Sequence, residues 1–436
     1  MKLKLLVLYL LATTPIGLFS QVLYSNGGLI HVSNGGLLYS NGGIVLTNSS
    51  SVINEGSIVI TKNTSLPEAG NFAINTNTIV AGNGSYRVQQ DWINDATFNA
   101  NNSEVELFGN TEQIITSNNG TNTVFNRLVL TGNGVGVNRR KSLLNVNASI
   151  NFTGELVLNN RELNTNTNIF KVDNPNPLSI LFDNTYNNEG FVSSLPNGFL
   201  IREMNQADFY LFPLGSSNGT RRFRPVAIES FSTENQSYAV RMNNFLADLE
   251  GYPLTQKQEK ISEANAMFYH SARRISGSSN ADFMVFYDPT TDNNWESIAH
   301  WSTGNQIWED VEDANINSFS NYKYALKNNW SFPSDNDEYV LINSTYKLEI
   351  PNVFTPNGDN INDGFYVTSS GLEEFNIQIL NRWGNLVFES DDVNEIWNGR
   401  NLSQNECTDG VYFYVIKAKY KDNEIKEHGH ITLLRK

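Results

Sequence analysis

Three near-identical blocks stand in close succession near the start of the chain: Ser25-Asn26-Gly27-Gly28, Ser33-Asn34-Gly35-Gly36 and Ser40-Asn41-Gly42-Gly43. A looser fourth, Asn54-Glu55-Gly56-Ser57, follows. Asn-Gly and Gly-Gly steps admit positive φ, so each block is a turn. The apolar runs between them, such as Leu29-Ile30-His31-Val32 and Ile44-Val45-Leu46, have strand length. Short strands punctuated this often pair either as antiparallel hairpins or as rungs of a parallel solenoid. Tight, near-regular spacing, Asn at matching positions and the lack of any helical period favour the parallel arrangement.

The chain has 436 residues and a formal net charge of -15. That length has room for about two to four domains. The acidic balance argues against nucleic acid as a partner, because phosphate binding needs a basic face. Charged residues make up only 17%, and polarity comes from Asn, Ser, Thr and Gly, which favour turns and strands. Cys407 is the one cysteine, so no internal disulfide can form. Residues 1–20 carry Lys2 and Lys4, then an apolar run to Leu18 ending at Phe19-Ser20. This is the layout of a secretory signal peptide, with the mature chain expected from Gln21.

The turn-and-strand pattern continues in degenerate form through Asp91-Trp92, Phe98, Val105-Glu106-Leu107-Phe108-Gly109, Gln113-Ile114-Ile115 and Phe125-Asn126-Arg127-Leu128. It resembles a repeat found in many Bacteroidetes surface proteins, which implies β-helix rungs and no chemistry. The expectation is a parallel β-helix-like solenoid over residues 21–195. Its Trp92 and Tyr86 are expected to fill the core or, alternatively, to bind a ligand from one flank. Arg139-Arg140-Lys141 is expected in a solvated loop.

A β-sandwich module is expected over residues 196–348. Phe212-Pro213-Leu214-Gly215 and Arg224-Pro225 resemble a segment common in Bacteroidetes secreted proteins. Strands are expected near residues 237–242, 266–270, 281–288, 307–309, 322–326 and 338–343, with a short helix or mobile loop at 254–263. Gly215-Ser216-Ser217-Asn218-Gly219 matches the Gly-x-Ser-x-Gly nucleophile elbow, but that motif works on a strand-to-helix turn and no helix follows. Trp295, Trp301, Trp308 and Trp330 lie among Glu296, His300, Glu309 and Asp310. They either fill a core or stack sugar rings beside carboxylates.

The final stretch, residues 349–436, holds the most specific signal. It contains Pro351, Asn352, Phe354, Thr355, Pro356, Asn357, Gly358, Asp359, Asn362 and Asp363. Then come Asn381-Arg382-Trp383-Gly384, Trp397, Gly399, Gly410, Tyr412, Tyr414 and Arg435. These blocks, in this order, closely resemble the type B sorting domain of the type IX secretion system, also called the gliding-motility-associated C-terminal domain. Glu406-Cys407-Thr408-Asp409 departs from it, since the family usually has a Pro-containing turn there. Alternating strands, a hairpin turn at Gly384 and a last strand near the terminus fit a small Ig-like sandwich. Asn357, Asp359, Asn362 and Asp363 concentrate oxygens in the manner of a Ca²⁺ loop, without EF-hand spacing; a run of Asx turns is the alternative. His428 and His430 share a strand face but lack further zinc ligands.

The all-β chain is therefore expected to be a non-enzymatic cell-surface or secreted protein, an adhesin or a gliding-associated component. The resemblance implies Sec export, then recognition by the type IX translocon, and an outer-membrane barrel partner. It carries over no contact residues; Arg382, expected to be exposed, and the terminal Arg435 and Lys436 are the candidates. No cofactor beyond Ca²⁺ is expected. The alternative is a secreted protein that binds or degrades carbohydrate, with a surface polysaccharide as partner.

Overall fold

The computed structural model describes residues 22–63, 70–333, 337–359, 361–420 and 423–435. The expected signal peptide lies outside the described residues. Nearly all regular structure is strand. The chain forms two compact units: residues 22–257 with Ala264–Ile342, and Gln258–Glu263 with Asn343–Lys436.

The first unit begins with three parallel ladders visited in rotation. Leu23–Asn26, Leu29–Val32 and Leu37–Asn41 each start one ladder. The next three strands return to them in order: Ile44 pairs with Leu23, Ser51 with Leu29 and Ser57 with Leu37, all parallel. Strand alternation then stacks one residue per rung into a column. In the first ladder Ile44, Phe72, Trp92, Ile115 and Leu143 stand in register and are buried. Burying such side chains contributes roughly 1.5–3 kcal/mol each.

Along one corner the turn glycines have a packing reason. A Cβ at Gly56 would lie 2.3 Å from the Gly36 carbonyl oxygen of the rung before. One at Gly84 would lie 2.5 Å from the Gly56 oxygen. Only a residue without a side chain lets successive turns touch backbone to backbone.

Phe199–Met204 pairs parallel with Ile169–Val172 on one side and antiparallel with Gln236–Asn243 on the other. The same sheet continues through Tyr269–Ser276, Glu338–Ser344, Ser297–Ser302 and Ile307–Asp310. A second antiparallel sheet is ordered Phe209–Phe212, Val226–Ser230, Ala281–Tyr287, Tyr322–Trp330, Asn315–Phe319. The two share one core, with Phe283 of one sheet 4.7 Å from Tyr339 of the other, centroid to centroid. That core runs without a break from Val32 to Leu341, so the boundary expected at 195/196 falls inside a single unit.

Three local expectations are corrected. Residues 254–263 form turns, a bridge from Lys257 to Trp308 and the start of the strand Ile261–Ala264, not a helix. The strand expected at 266–270 is Tyr269–Ser276. Arg139-Arg140-Lys141 is not a solvated loop: Lys141 is 0% exposed, and its ammonium donates to the Gly109 carbonyl (2.8 Å) and Gln113 Oε1 (2.6 Å).

In the second unit, Lys347–Glu349 pairs with Thr368–Ser370. A 5-stranded sheet is ordered Val353–Phe354, Asn423–Leu433, Gly410–Tyr420, Glu374–Leu380, Leu386–Ser390. The first pair is parallel and the others antiparallel. Gln258–Glu263 belongs here through Thr345 N–H to Lys260 O (2.8 Å) and Ser262 Oγ–H to Asn343 O (2.9 Å).

Candidate sorting surface

Most of the signature blocks of the last domain are scaffold. Phe354, Trp397 and Tyr412 pack in the core, each pair with Trp397 at 5.1 Å between centroids. The Trp397 indole donates to the Arg400 carbonyl (2.8 Å) and the Tyr412 hydroxyl to the Thr408 carbonyl (2.8 Å). Burial pushes the Tyr412 hydroxyl above its ordinary pKa. Gly399 has φ +77, and a Cβ there would lie 2.9 Å from Leu433 Cδ1. Gly410, at φ +146, opens the central strand. Tyr414 lies over Gly429, its cross-strand partner.

Arg435 is not the free contact that its terminal position suggests. Its guanidinium donates to the Gly399 carbonyl (2.7 Å) and the Cys407 carbonyl (3.3 Å), and its amide donates to Asp409 (3.1 Å). It thereby ties the chain end to the Glu406–Gly410 segment, where the sequence departs from the family pattern. Cys407 itself is buried, and burial raises its thiol pKa. Lys436 and Asn360 lie outside the described residues.

The oxygen-rich loop spends its side chains on its own backbone. Asn357 Oδ1 accepts from Asp359 N–H (3.0 Å), Asp359 Oδ1 from Ile361 N–H (2.8 Å), and Asp363 Oδ1 from Gly358 N–H (2.7 Å). Asn362 takes φ +55, and its carbonyl accepts from Thr355 N–H (2.7 Å). The Asn352 carbonyl accepts from Thr432 N–H (2.8 Å), pinning Val353–Phe354 to the last strand between the exposed Pro351 and the half-buried Pro356. Among the described residues no group of three or more His, Cys, Asp or Glu could hold a metal ion, the His428–His430 pair included.

Among the exposed apolar residues of this unit, which also include Ile361, Ile396 and Leu402, two groups are held by a fixed turn or by a strand. Asn381 Oδ1 accepts from both Trp383 N–H (2.9 Å) and Asn385 N–H (3.0 Å), and Gly384 takes φ +78. This fixed turn presents Trp383 at 80% exposure beside the exposed Arg382. On the outer sheet face, Val411 and Phe413 are exposed while Tyr412 and Ile416 point inward. Val411 stands in register with Thr432 and, across it, Val353; Phe413 stands in register with His430 and Leu380. Phe413 and Val411 were legible in sequence only as strand residues, because alternation alone does not say which parity faces out.

The candidate chemistry upstream is absorbed by packing. Trp295, Trp301 and Trp308 are buried, Trp330 is half-buried with its indole on the Tyr339 hydroxyl (3.0 Å), and Trp92 and Tyr86 fill the core between the parallel ladders. Ser217 follows a two-residue strand paired with Arg222–Phe223, so the Gly-x-Ser-x-Gly block is a hairpin. Its hydroxyl donates to Glu162 and accepts from Arg140 (2.9 Å).

The CHU_C type IX secretion signal domain matches residues 348–433. A comparison with curated proteins finds no match. Among solved structures the chain is similar to PorZ of Porphyromonas gingivalis, described as an essential surface component of the type IX secretion system. Identity is 11%, coverage 49% of this chain and 44% of PorZ, and the TM-score 0.17. It is also similar to dimeric latent PorU of the same organism, at 9% identity, covering 54% of this chain and 29% of PorU with a TM-score of 0.15. The chain thus spans less than half the length of either. The domain match coincides with the folded second unit and with the blocks placed above, and it implies export by type IX secretion. Residues 348–433 are a CHU_C type IX secretion signal domain, so the chain carries a type B sorting domain at that position.

Proposed function

We propose that this chain is a non-enzymatic surface protein, adhesive or gliding-associated, delivered through Sec and then the type IX translocon and retained by an outer-membrane barrel partner. The observation that carries the reading is the secretion signal domain at residues 348–433. The signal-peptide pattern of residues 1–20 supports the first step. The parallel ladders support a solenoid that continues into a sandwich. The 5-stranded sheet and the separate two-stranded pair support a small Ig-like sorting domain.

Trp383 and the Val411–Phe413 face are the surface we assign to recognition. Exposed aromatics on a rigid turn lose little entropy on docking and dominate binding energies. Deleting residues 350–436 tests the export claim by cell fractionation. Retention of the truncated chain in the periplasm is the expected result; surface display that survives the deletion contradicts it.

A further inference from the structure

A polar cleft lies in the first unit, lined by residues outside the secretion signal domain. Its floor is a transverse row: Arg241 stands in register with Ser271, and Ser271 with Glu338, across three neighbouring strands. In-register residues project from one sheet face, so the three side chains lie side by side. On the far side of Arg241 is Phe199, whose ring centroid is 5.5 Å from the Arg241 guanidinium and 4.4 Å from that of Arg273. Tyr252 forms the opposite wall, backed edge-on by Trp301 at 5.6 Å and Trp308 at 6.4 Å. The cavity measures about 520 Å³. That lies within the ~300–1,000 Å³ of small-molecule sites.

The charges in the cleft are matched and held. Arg241 donates both Nη groups to Glu250 and its Nε to Ser271 Oγ (3.1 Å). The Tyr269 hydroxyl donates to the same Glu250 carboxylate. Arg273 lies 3.7 Å from Asp337. Glu338 is left facing Asp337, Glu250, Arg241, Arg273 and the Tyr252 and Tyr269 hydroxyls. Burial first, then the charge of Asp337, push its carboxyl up to about 7, against the pull of Arg241 and the Tyr252 hydrogen bond. Below that pH two guanidiniums face two carboxylates and one neutral acid.

A phosphate or a metal ion would have to break an ion pair to be held here, which leaves a half-buried charge uncompensated. A sugar hydroxyl is donor and acceptor at once, and a fixed carboxylate–guanidinium pair offers both partners side by side. We propose that this cleft binds a neutral polyhydroxylated ligand, one or two rings of a saccharide, between Tyr252, Arg273 and the Arg241–Glu250 pair. Carbohydrate binding then does not use the tryptophans as a platform; they brace the tyrosine that does. The inference stands on the first unit alone and is independent of how the chain is exported.

The test is titration calorimetry of the mature chain at pH 6 with glucose, galactose, mannose, xylose, N-acetylglucosamine, cellotriose, xylotriose and chitotriose. At least one probe is expected to bind with a millimolar or tighter Kd. Arg273→Ala, a largely exposed position, weakens it about tenfold or more. Wild-type binding falls as pH rises through 7 to 8, because Glu338 loses its proton and adds charge beside Asp337 and Glu250. Glu338→Gln, which stays neutral, keeps its affinity at pH 8. Absence of heat with every probe at about 10 mM, affinity unchanged in Arg273→Ala, or competition by inorganic phosphate each overturns the proposal.

Discussion

Trp383 and Trp397 share a domain but not a role. Trp397 is 1% exposed and braced by Phe354 and Tyr412; Trp383 stands in solvent on a turn held by Asn381. Trp397→Ala is expected to cost about 3–5 kcal/mol in a melt, enough to unfold the sorting domain. Trp383→Ala is expected to change stability by under about 0.5 kcal/mol and to reduce surface delivery. Thermal melting paired with cell fractionation separates the two; normal delivery of Trp383→Ala removes it from the recognition surface. His270 is a second single-residue case. It is buried with Nε2 at 2.8 Å from the Arg224 carbonyl, and burial lowers its pKa to about 4. The unfolded chain, with a His pKa near 6.5, therefore binds the proton first as pH falls. Stability from this residue is full above about 6.5 and is lost as pH drops toward 4. Urea melts at pH 7 and pH 4.5 check it: His270→Gln is expected to lose less stability over that interval than the wild type.

At the scale of elements, the turn blocks were readable because their cause is local. Ser33-Asn34-Gly35-Gly36 announces a turn, and stacking of Gly36, Gly56 and Gly84 explains why it repeats. Gly56→Ala is expected to destabilise the first unit by about 1–3 kcal/mol, since the new Cβ meets backbone that cannot yield. Gly304→Ala, with open space around it, is expected to be neutral, and calorimetric melts compare them. Gln113 shows the same locality: it takes the Gly109 amide and donates to the Val88 carbonyl, so the repeat glutamine is a turn clamp. Tyr269–Ser276 was misplaced because Arg273 and Arg274 mask its apolar alternation. The cleft row was invisible for a different reason: Arg241, Ser271 and Glu338 are brought together only by register across three strands.

For the whole molecule, the secretion signal domain matches residues 348–433, and the residues expected as two upstream domains share one core. The shared strand Phe199–Met204 carries one sheet from parallel into antiparallel pairing, and no composition shift marks that a core continues through it. Nor does any local pattern assign residues 258–263 to the second unit, since their partners Asn343 and Thr345 are distant in sequence. The sorting blocks were legible because they combine core aromatics, obligatory glycines and Asx turns at fixed spacing. The surface proposed for recognition was not, because the exposure of Phe413 and Trp383 is a property of the folded domain. On the proposed reading, this domain carries the first unit to the cell exterior. Protease shaving of intact cells, followed by blotting for residues 22–342, tests it most directly. The account predicts that the chain is cleaved on cells with a working type IX translocon and protected in cells lacking it. Equal cleavage in both contradicts it.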